Sequence, residues 1–301
     1  MFDINAAVTD RIIDQLEKGI VPWHRPWVCG EGAEAVSRTN GRAYSVLNQM
    51  LLGEAGEFAT FKQITDAGGK VKKGAKARMV VFWKMLFVEE KNSDGSTVIG
   101  ADGKVVMKTV PILKYYNVFK IGDDTEGIDP KYFKPIDTVK VTNHAQMVEK
   151  AEAVLRDYLV RSGVGFQNKA QGRAYYSPMA DSITVPMMEQ FPDTAEYYST
   201  VFHEVTHSTG HKSRFDRFRN GYFGDTEYSK EELVAEIGAA GILHSLGMET
   251  DGTFNNSAAY IDSWLHALRN DKKMIVAAAG KAQKAVEMIM NAEAAGETLA
   301  A

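Results

Sequence analysis

The sequence predicts an α+β protein of two domains, an N-terminal one over residues 1–135 and a C-terminal one over 136–301. Three observations carry this. The first 121 residues mix short helical periods with two long β-rich runs that face each other across a Gly-rich loop, and the chain from residue 143 onward is mostly of helical period. Between them lies GDDTEGIDPKYFKPIDTVK (122–140), whose acids, prolines and glycines have the composition of a linker. At 301 residues the chain is long enough for two ordinary domains.

The elements follow in order. NAAVTDRIIDQLEKG reads as a helix with an apolar stripe of Ile12, Ile13 and Leu16 and a stop at Gly19. VPWHRPW is an aromatic, extended segment. AYSVLNQMLLG is a second helix ending at Gly53, and TFKQITDAGG a short one opened by Thr60. VKKGAKARMVVFWKMLFVEE is a strand with a turn at Gly74. VVMKTVPILKYYNVFKI returns beside it, after the polar loop KNSDGSTVIGADGK. Past the linker, NHAQMVEKAEAVLRDYLVRSG is a helix and RAYYSPMADSITVP two short strands around a turn, with DSITVP expected at a sheet edge. Three helices close the chain. One runs from Thr194 to about Thr209, with Asp193 and Glu196 as its capping box. The next runs from Lys230 to Leu246 between Ser229 and Gly247, and the third begins near Ser257.

Composition narrows the function classes. No apolar run is long enough to span a bilayer, and the charged N-terminus is not a secretory signal. The single cysteine, Cys29, rules out an intramolecular disulfide and points to a reducing cytoplasm. It also rules out a Cys-rich finger, so zinc would need histidine and carboxylate ligands. Net charge is −4, but positive charge clusters locally, at Lys62, Lys70, Lys72, Lys73, Lys76 and Arg78 and again over 104–120. Trp23, Trp27, Trp83, Lys114, Tyr115 and Tyr116 set aromatics beside basic residues, the pairing used by single-strand binders. The competing reading is that alternating aromatics in strands pack a core.

The stretch TVFHEVTHSTGH (200–211) carries the chemistry. His203 and His207 share one helix face, so both imidazoles can meet one ion. Glu204 is turned about 100° from His203 and can take a proton beside the metal. His211 is a tempting third ligand, but Gly210 ends the helix before it. The metzincin pattern also fails, because it needs histidine where Ser213 stands. SKEELVAEIG offers Glu232 and Glu236, four apart on the face beside Leu233, Ala240 and Leu243, with Glu231 directed elsewhere. Glu232 is the expected third ligand, in the gluzincin manner, and Glu236 would orient a histidine. The alternatives are a capping-box partner of Ser229 for Glu232 and a buried structural acid for Glu236. Tyr222, Tyr228, His211 and Arg214 are candidates for polarising a substrate carbonyl. His244 and His266 lie on helical faces and read as packing or surface residues, and His24 and His144 have no partner pattern.

These residues resemble a known family. VTDRIIDQLEKGIVPWHRPW, NGRAYSVLNQMLL, TFKQITDAGGKVKKGAK and LKYYNVFKI are similar to the N-terminal domain of ArdC-type antirestriction proteins. AYYSPMADSITVP, HEVTHSTGHKSRFDR, YSKEELVAEIGA and YIDSWLHALRND resemble the zincin-like metallopeptidase domain of the same proteins. In KGAK, Ala75 stands where the family usually has glutamate. The resemblance implies a protein of a plasmid or other mobile element that binds single-stranded DNA and helps entering DNA escape restriction. It also implies zinc as cofactor, with a protein substrate or the restriction machinery as a further partner. A second reading keeps DNA binding but makes the zinc structural, with protection by coating DNA or by partner contact.

Overall fold

The structure, a computed structural model, describes residues 2–23, 34–133, 144–218, 226–248 and 254–291. Helix α1 (Ile4–Glu17) starts where the Asp3 carboxylate accepts the Ala6 N–H, and it buries Val8, Ile12, Ile13 and Leu16. Strand β1 (Ala35–Ser37) precedes α2 (Val46–Leu52). That helix ends at Gly53, whose φ of 76° is a left-handed stop favouring glycine. Strand β2 (Gly56–Thr60) runs straight into α3 (Phe61–Asp66), where Thr60 and Gln63 form a reciprocal capping box. Then come β3 (Lys70–Val71), β4 (Arg78–Glu89), β5 (Met107–Lys120) and β6 (Thr125–Glu126).

The main sheet has the order β1-β2-β5-β4, with β1 parallel to β2 and the other pairs antiparallel. Strand β2 pairs with β5 only at residues 118–120. Beyond that point β4 and β5 form a two-stranded ribbon, extended by isolated bridges at Lys91–Thr97 and Ile99–Val105. The start of the expected linker is tied to the first half. Strand β6 pairs with β3, and the fully buried Glu57 carboxylate accepts the N–H groups of Lys131, Tyr132 and Phe133.

The second half holds α4 (His144–Ser162), β7 (Gly165–Lys169), β8 (Tyr175–Ser177), β9 (Ser182–Pro186), α5 (Thr194–Ser208), α6 (Thr226–Leu246), α7 (Phe254–Asn270) and α8 (Met274–Met290). Asp193 accepts the Glu196 N–H and opens α5 as expected. Three expectations need correction. Helix α6 begins at Thr226, so Ser229 lies inside it and cannot be its cap. Strand β9 is the middle of the order β7-β9-β8, not an edge, because the mostly polar GFQNK also forms a strand and pairs parallel to it. The Ala-rich run after α7 forms a further helix, α8, which buries Ile275, Ala279, Ala282, Val286 and Ile289.

The apolar core joins the two halves. Val8, Ile12 and Leu16 of α1 and Leu47 and Leu51 of α2 share one cluster with Leu233, Val234 and Ile237 of α6, Trp264 of α7 and Ile275 of α8. Polar bonds reinforce it: Gln283 accepts the Val46 N–H, and the Thr9 hydroxyl donates to the Lys272 carbonyl. A second cluster lies within residues 151–289, around Tyr158, Tyr198 and Phe202.

Candidate metal centre

Helices α5 and α6 lie against each other, and their contact builds the centre. Gly238 allows the approach, because a Cβ there would sit 2.6 Å from the Thr206 methyl. His203 and His207 lie one turn apart on α5, with their Nε2 atoms 3.1 Å from each other. Glu232 on α6 faces both, at 3.6 Å from His203 Nε2 and 3.3 Å from His207 Nε2. Among the described residues, these three are the group of His, Cys, Asp and Glu whose ligand atoms converge.

The far side of each imidazole has its own carboxylate. Glu236 lies 3.4 Å from His203 Nδ1, and Glu231 lies 3.5 Å from His207 Nδ1. Glu231 is therefore not directed elsewhere. Glu231 is one residue, about 100°, from Glu232 on α6, and α6 lies close enough to α5 for its carboxylate to reach the His207 ring. The sequence signal was available: Arg217 is the cation that holds Glu231, through Nε at 3.0 Å and Nη2 at 2.6 Å. The same guanidinium donates to the Thr209 hydroxyl and the Thr206 carbonyl, so it ties the end of α5 to α6.

The donor set fits a divalent cation. If each Nδ1 donates to its glutamate, both Nε2 lone pairs and the Glu232 carboxylate converge with no donor among them. Such a cluster needs a positive centre. A tetrahedral ion with bonds of about 2.05 Å would hold neighbouring donors about 3.3 Å apart, in line with the three separations. The electrostatics agree. Burial works against charge on His203, but its hydrogen bonds to the Glu232 and Glu236 carboxylates outweigh it and raise its pKa well above the ordinary value. His207 is raised against the same burial by Glu231 and Glu232. Burial would raise the Glu232 carboxyl, yet the two histidines hold it far below the usual range. Glu204 is buried beside them, and its negative charge helps raise both histidines.

The other histidines and helpers lie apart. His211 Nδ1 is 2.7 Å from the Ser213 hydroxyl and 3.6 Å from Asp181, so it joins a different cluster. Arg214 is nearly buried, bonded to Asp181, Tyr176 and the Ser208 carbonyl, and has no free face for a substrate. Tyr222 lies outside the described residues, whereas Tyr228 stands one turn before Glu232 on α6. His244 lies 4.0 Å from Glu34, and His266 bonds Asn270. His24 and Cys29 lie outside the described residues, as does the side chain of His144.

The expected DNA-contact residues also divide. Trp23 is 7% exposed and packs edge-on against Trp264, so it presents no face for a base. Trp27 lies outside the described residues. Arg78 is spent on Glu54 and Asp124, and Lys72 on the Gly122 and Asp123 carbonyls. Lys62 pairs with Asp66 on the surface. Lys70, Lys73, Lys76 and Lys114 are exposed, as are Trp83, Tyr115 and Tyr116. Sequence reading missed Phe82, which stacks on Tyr116 at 4.8 Å.

Comparison with known proteins agrees with this arrangement. Residues 149–281 match the family of zincin-like metallopeptidases, and residues 2–119 match the N-terminal domain of the anti-restriction factor ArdC. Two DNA primases TraC of Escherichia coli are 35% and 34% identical over 94% of this chain. The chain spans only 20% and 26% of their lengths. The crystal structure of the antirestriction ArdC protein from plasmid R388, metal-free, superposes with a TM-score of 0.72 at 34% identity, covering 98% of this chain and 99% of that one. Its Mn(II)-bound form gives 0.71 at the same identity, covering 96% and 98%. With both halves matched in order along nearly the whole length of ArdC, the chain belongs to the ArdC family of antirestriction proteins.

Proposed function

We propose that this antirestriction protein binds single-stranded DNA through its first half and carries a zinc-dependent peptidase centre in its second. The observation that carries the peptidase reading is the convergence of His203, His207 and Glu232 with Glu204 beside them. A divalent ion bound there supplies a Lewis acid that polarises a carbonyl and lowers the pKa of a water. His203, His207 and Glu232 would hold it. Glu236 and Glu231 fix the two imidazole rings, and Glu204 accepts a proton and returns it to the leaving amine. Tyr228, on the Glu232 side of α6, is the candidate donor to the carbonyl oxygen. Mobile-element origin, a cytoplasmic location and a protein substrate or the restriction machinery as a further partner belong to the same reading.

One observation favours the second reading, in which the metal is structural. Helix α6 presents its glutamates to the ion site and packs Leu233, Val234 and Ile237 into the core shared with the first half. Metal could therefore brace the DNA-binding half without catalysis. Glu204→Gln separates the readings, because Glu204 is not among the three converging ligands. Metal content and fold should be retained, and peptide hydrolysis should fall at least a hundredfold. Protection of incoming DNA in a restricting host, at equal expression, then decides. Lost protection supports catalysis, and full protection leaves the metal as a brace.

A further inference from the structure

The β4–β5 ribbon has two chemically different faces. Residues paired across it point to the same side, and the side alternates along each strand. Trp83 pairs with Leu113, Met85 with Pro111 and Phe87 with Thr109, and this face carries no lysine or arginine on either strand. The opposite face holds Phe82 paired with Lys114, Lys84 with Ile112, Val88 with Lys108 and Val80 with Tyr116. Every cation of the two strands lies on this second face. At its root, Arg78 is neutralised by Glu54 and Asp124, and Lys120 by Glu54 and Asp123. Farther out, Lys84, Lys108 and Lys114 are exposed, and the strands place no acid on that side.

The same face carries a stacking platform. Phe82 and Tyr116 lie parallel, with ring centroids 4.8 Å apart and planes 8° apart. Tyr116 is 55% exposed, so the pair stands open at the surface. Below it, Val80 and Val118 are buried with Phe58 and Leu52, which fixes the pair on a rigid base. Successive rows on one face lie about 7 Å apart. Tyr116, then Phe82 with Lys114, then Lys84, and later Lys108 therefore follow one line along the ribbon. Tyr115, on the other face, is instead taken up by Phe2, 5.2 Å away.

We propose that the lysine face of this ribbon, with Tyr116 stacked on Phe82, carries the single strand, and that the Trp83 face does not. Charge selects the occupant, since phosphates match three lysines that have no ion pair among the described residues, and a base can extend the aromatic stack. This assignment rests on the reading that the protein binds single-stranded DNA.

The test is fluorescence anisotropy of the full chain with a labelled oligo-dT across a salt series, with thermal melts to check folding. In wild type, log K should fall linearly with log salt. Lys84→Ala with Lys114→Ala should lower that slope by about 1.4, two phosphate contacts at about 0.7 each. Tyr116→Ala should weaken binding by about 5- to 150-fold at fixed salt, and Tyr116→Phe should restore it. Trp83→Ala should leave affinity within about twofold. An unchanged slope in the double variant, or equal losses for Trp83→Ala and Tyr116→Ala, would overturn the assignment. Absence of binding by folded wild type would instead defeat the reading on which it rests.

Discussion

Replacing Glu231 by glutamine should loosen the metal centre without touching a ligand. Glu231 lies between Arg217 and His207, with Oε1 2.6 Å from the Arg217 Nη2 and 3.5 Å from the His207 Nδ1. Both partners are well shielded, the Arg217 side chain being 5% exposed and that of Glu231 14%. Glutamine keeps the shape and one acceptor oxygen but loses the charge that orients the ring and makes it a better donor to the ion. Losses of this kind cost roughly 10- to 100-fold in metal affinity, or about 1.4 to 2.7 kcal/mol. Glu231→Ala should do more. It strands a buried guanidinium, and breaking such a pair costs about 3–5 kcal/mol of stability. Zinc affinity measured by chelator competition reads the first effect, and thermal melting of the metal-free protein reads the second. Glu236→Gln is the parallel case for His203. If Glu231→Gln binds zinc as tightly as wild type while Glu236→Gln is weakened, Glu231 braces the helices and does not hold His207.

Four further outcomes are expected. Burial would raise the Glu57 carboxyl, but three backbone N–H groups and Arg38 hold its pKa below the ordinary carboxylate value. Its contribution is therefore complete at neutral pH and is lost as acid takes the pH down through the depressed folded pKa. Glu57→Gln should lower the melting temperature at pH 7, and the gap from wild type should narrow below about pH 4. Gly238→Ala should push α5 and α6 apart and reduce both stability and zinc affinity, because its Cβ would meet Thr206 at 2.6 Å. Gly280→Ala, in open space on α8, should add about 0.5–1 kcal/mol in a denaturant melt. Residues 1–133 produced alone should bind hydrophobic dyes and aggregate, since Val8, Ile12, Leu16, Leu47 and Leu51 lose their cover from α6, α7 and α8. A soluble, cooperatively melting fragment would refute a shared core.

Much of this was legible because local rules and tertiary demands agree. Gly53, Thr60 and Asp193 mark helix ends as expected, although Glu196 returns no side-chain bond to Asp193 and so leaves the expected capping box half formed. The i, i+4 spacing alone brings His203 and His207 together, and the pattern of glutamates in EELVAE points to Glu232 as the residue that joins them. What failed depended on partners distant in sequence. Ser229 has the chemistry of a cap, but the helix gains its first turn from Thr226 and passes it. GFQNK shows little apolar alternation, and only its parallel pairing with β9 makes it a strand. Trp23 looks like a stacking platform until Trp264, more than two hundred residues later, closes over it. Charge counts placed Arg78 and Lys72 in a phosphate patch, but the carboxylates and carbonyls of residues 54 and 122–124 already occupy both.

The position of α6 has a consequence for how the two halves serve one task. One side of this helix supplies Glu231, Glu232 and Glu236, and another supplies Leu233, Val234 and Ile237 to the core built by α1 and α2. That core also takes in Val81 at the root of the ribbon. The Val81 backbone is clamped on both sides by Asn48 of α2, which accepts its N–H and donates to its carbonyl, each at 2.8 Å. Anything that stabilises α6 therefore stabilises the base from which the ribbon projects. Metal bound at Glu232 adds its binding free energy to the native state of the whole chain, because an unfolded chain has no such site. At a free metal concentration 100 times the dissociation constant this is about 2.7 kcal/mol. It should appear as one raised, cooperative melt reported equally by the ribbon and by the helices. Two separate transitions, with only the later one moved by metal, would mean that the halves are joined by chain alone.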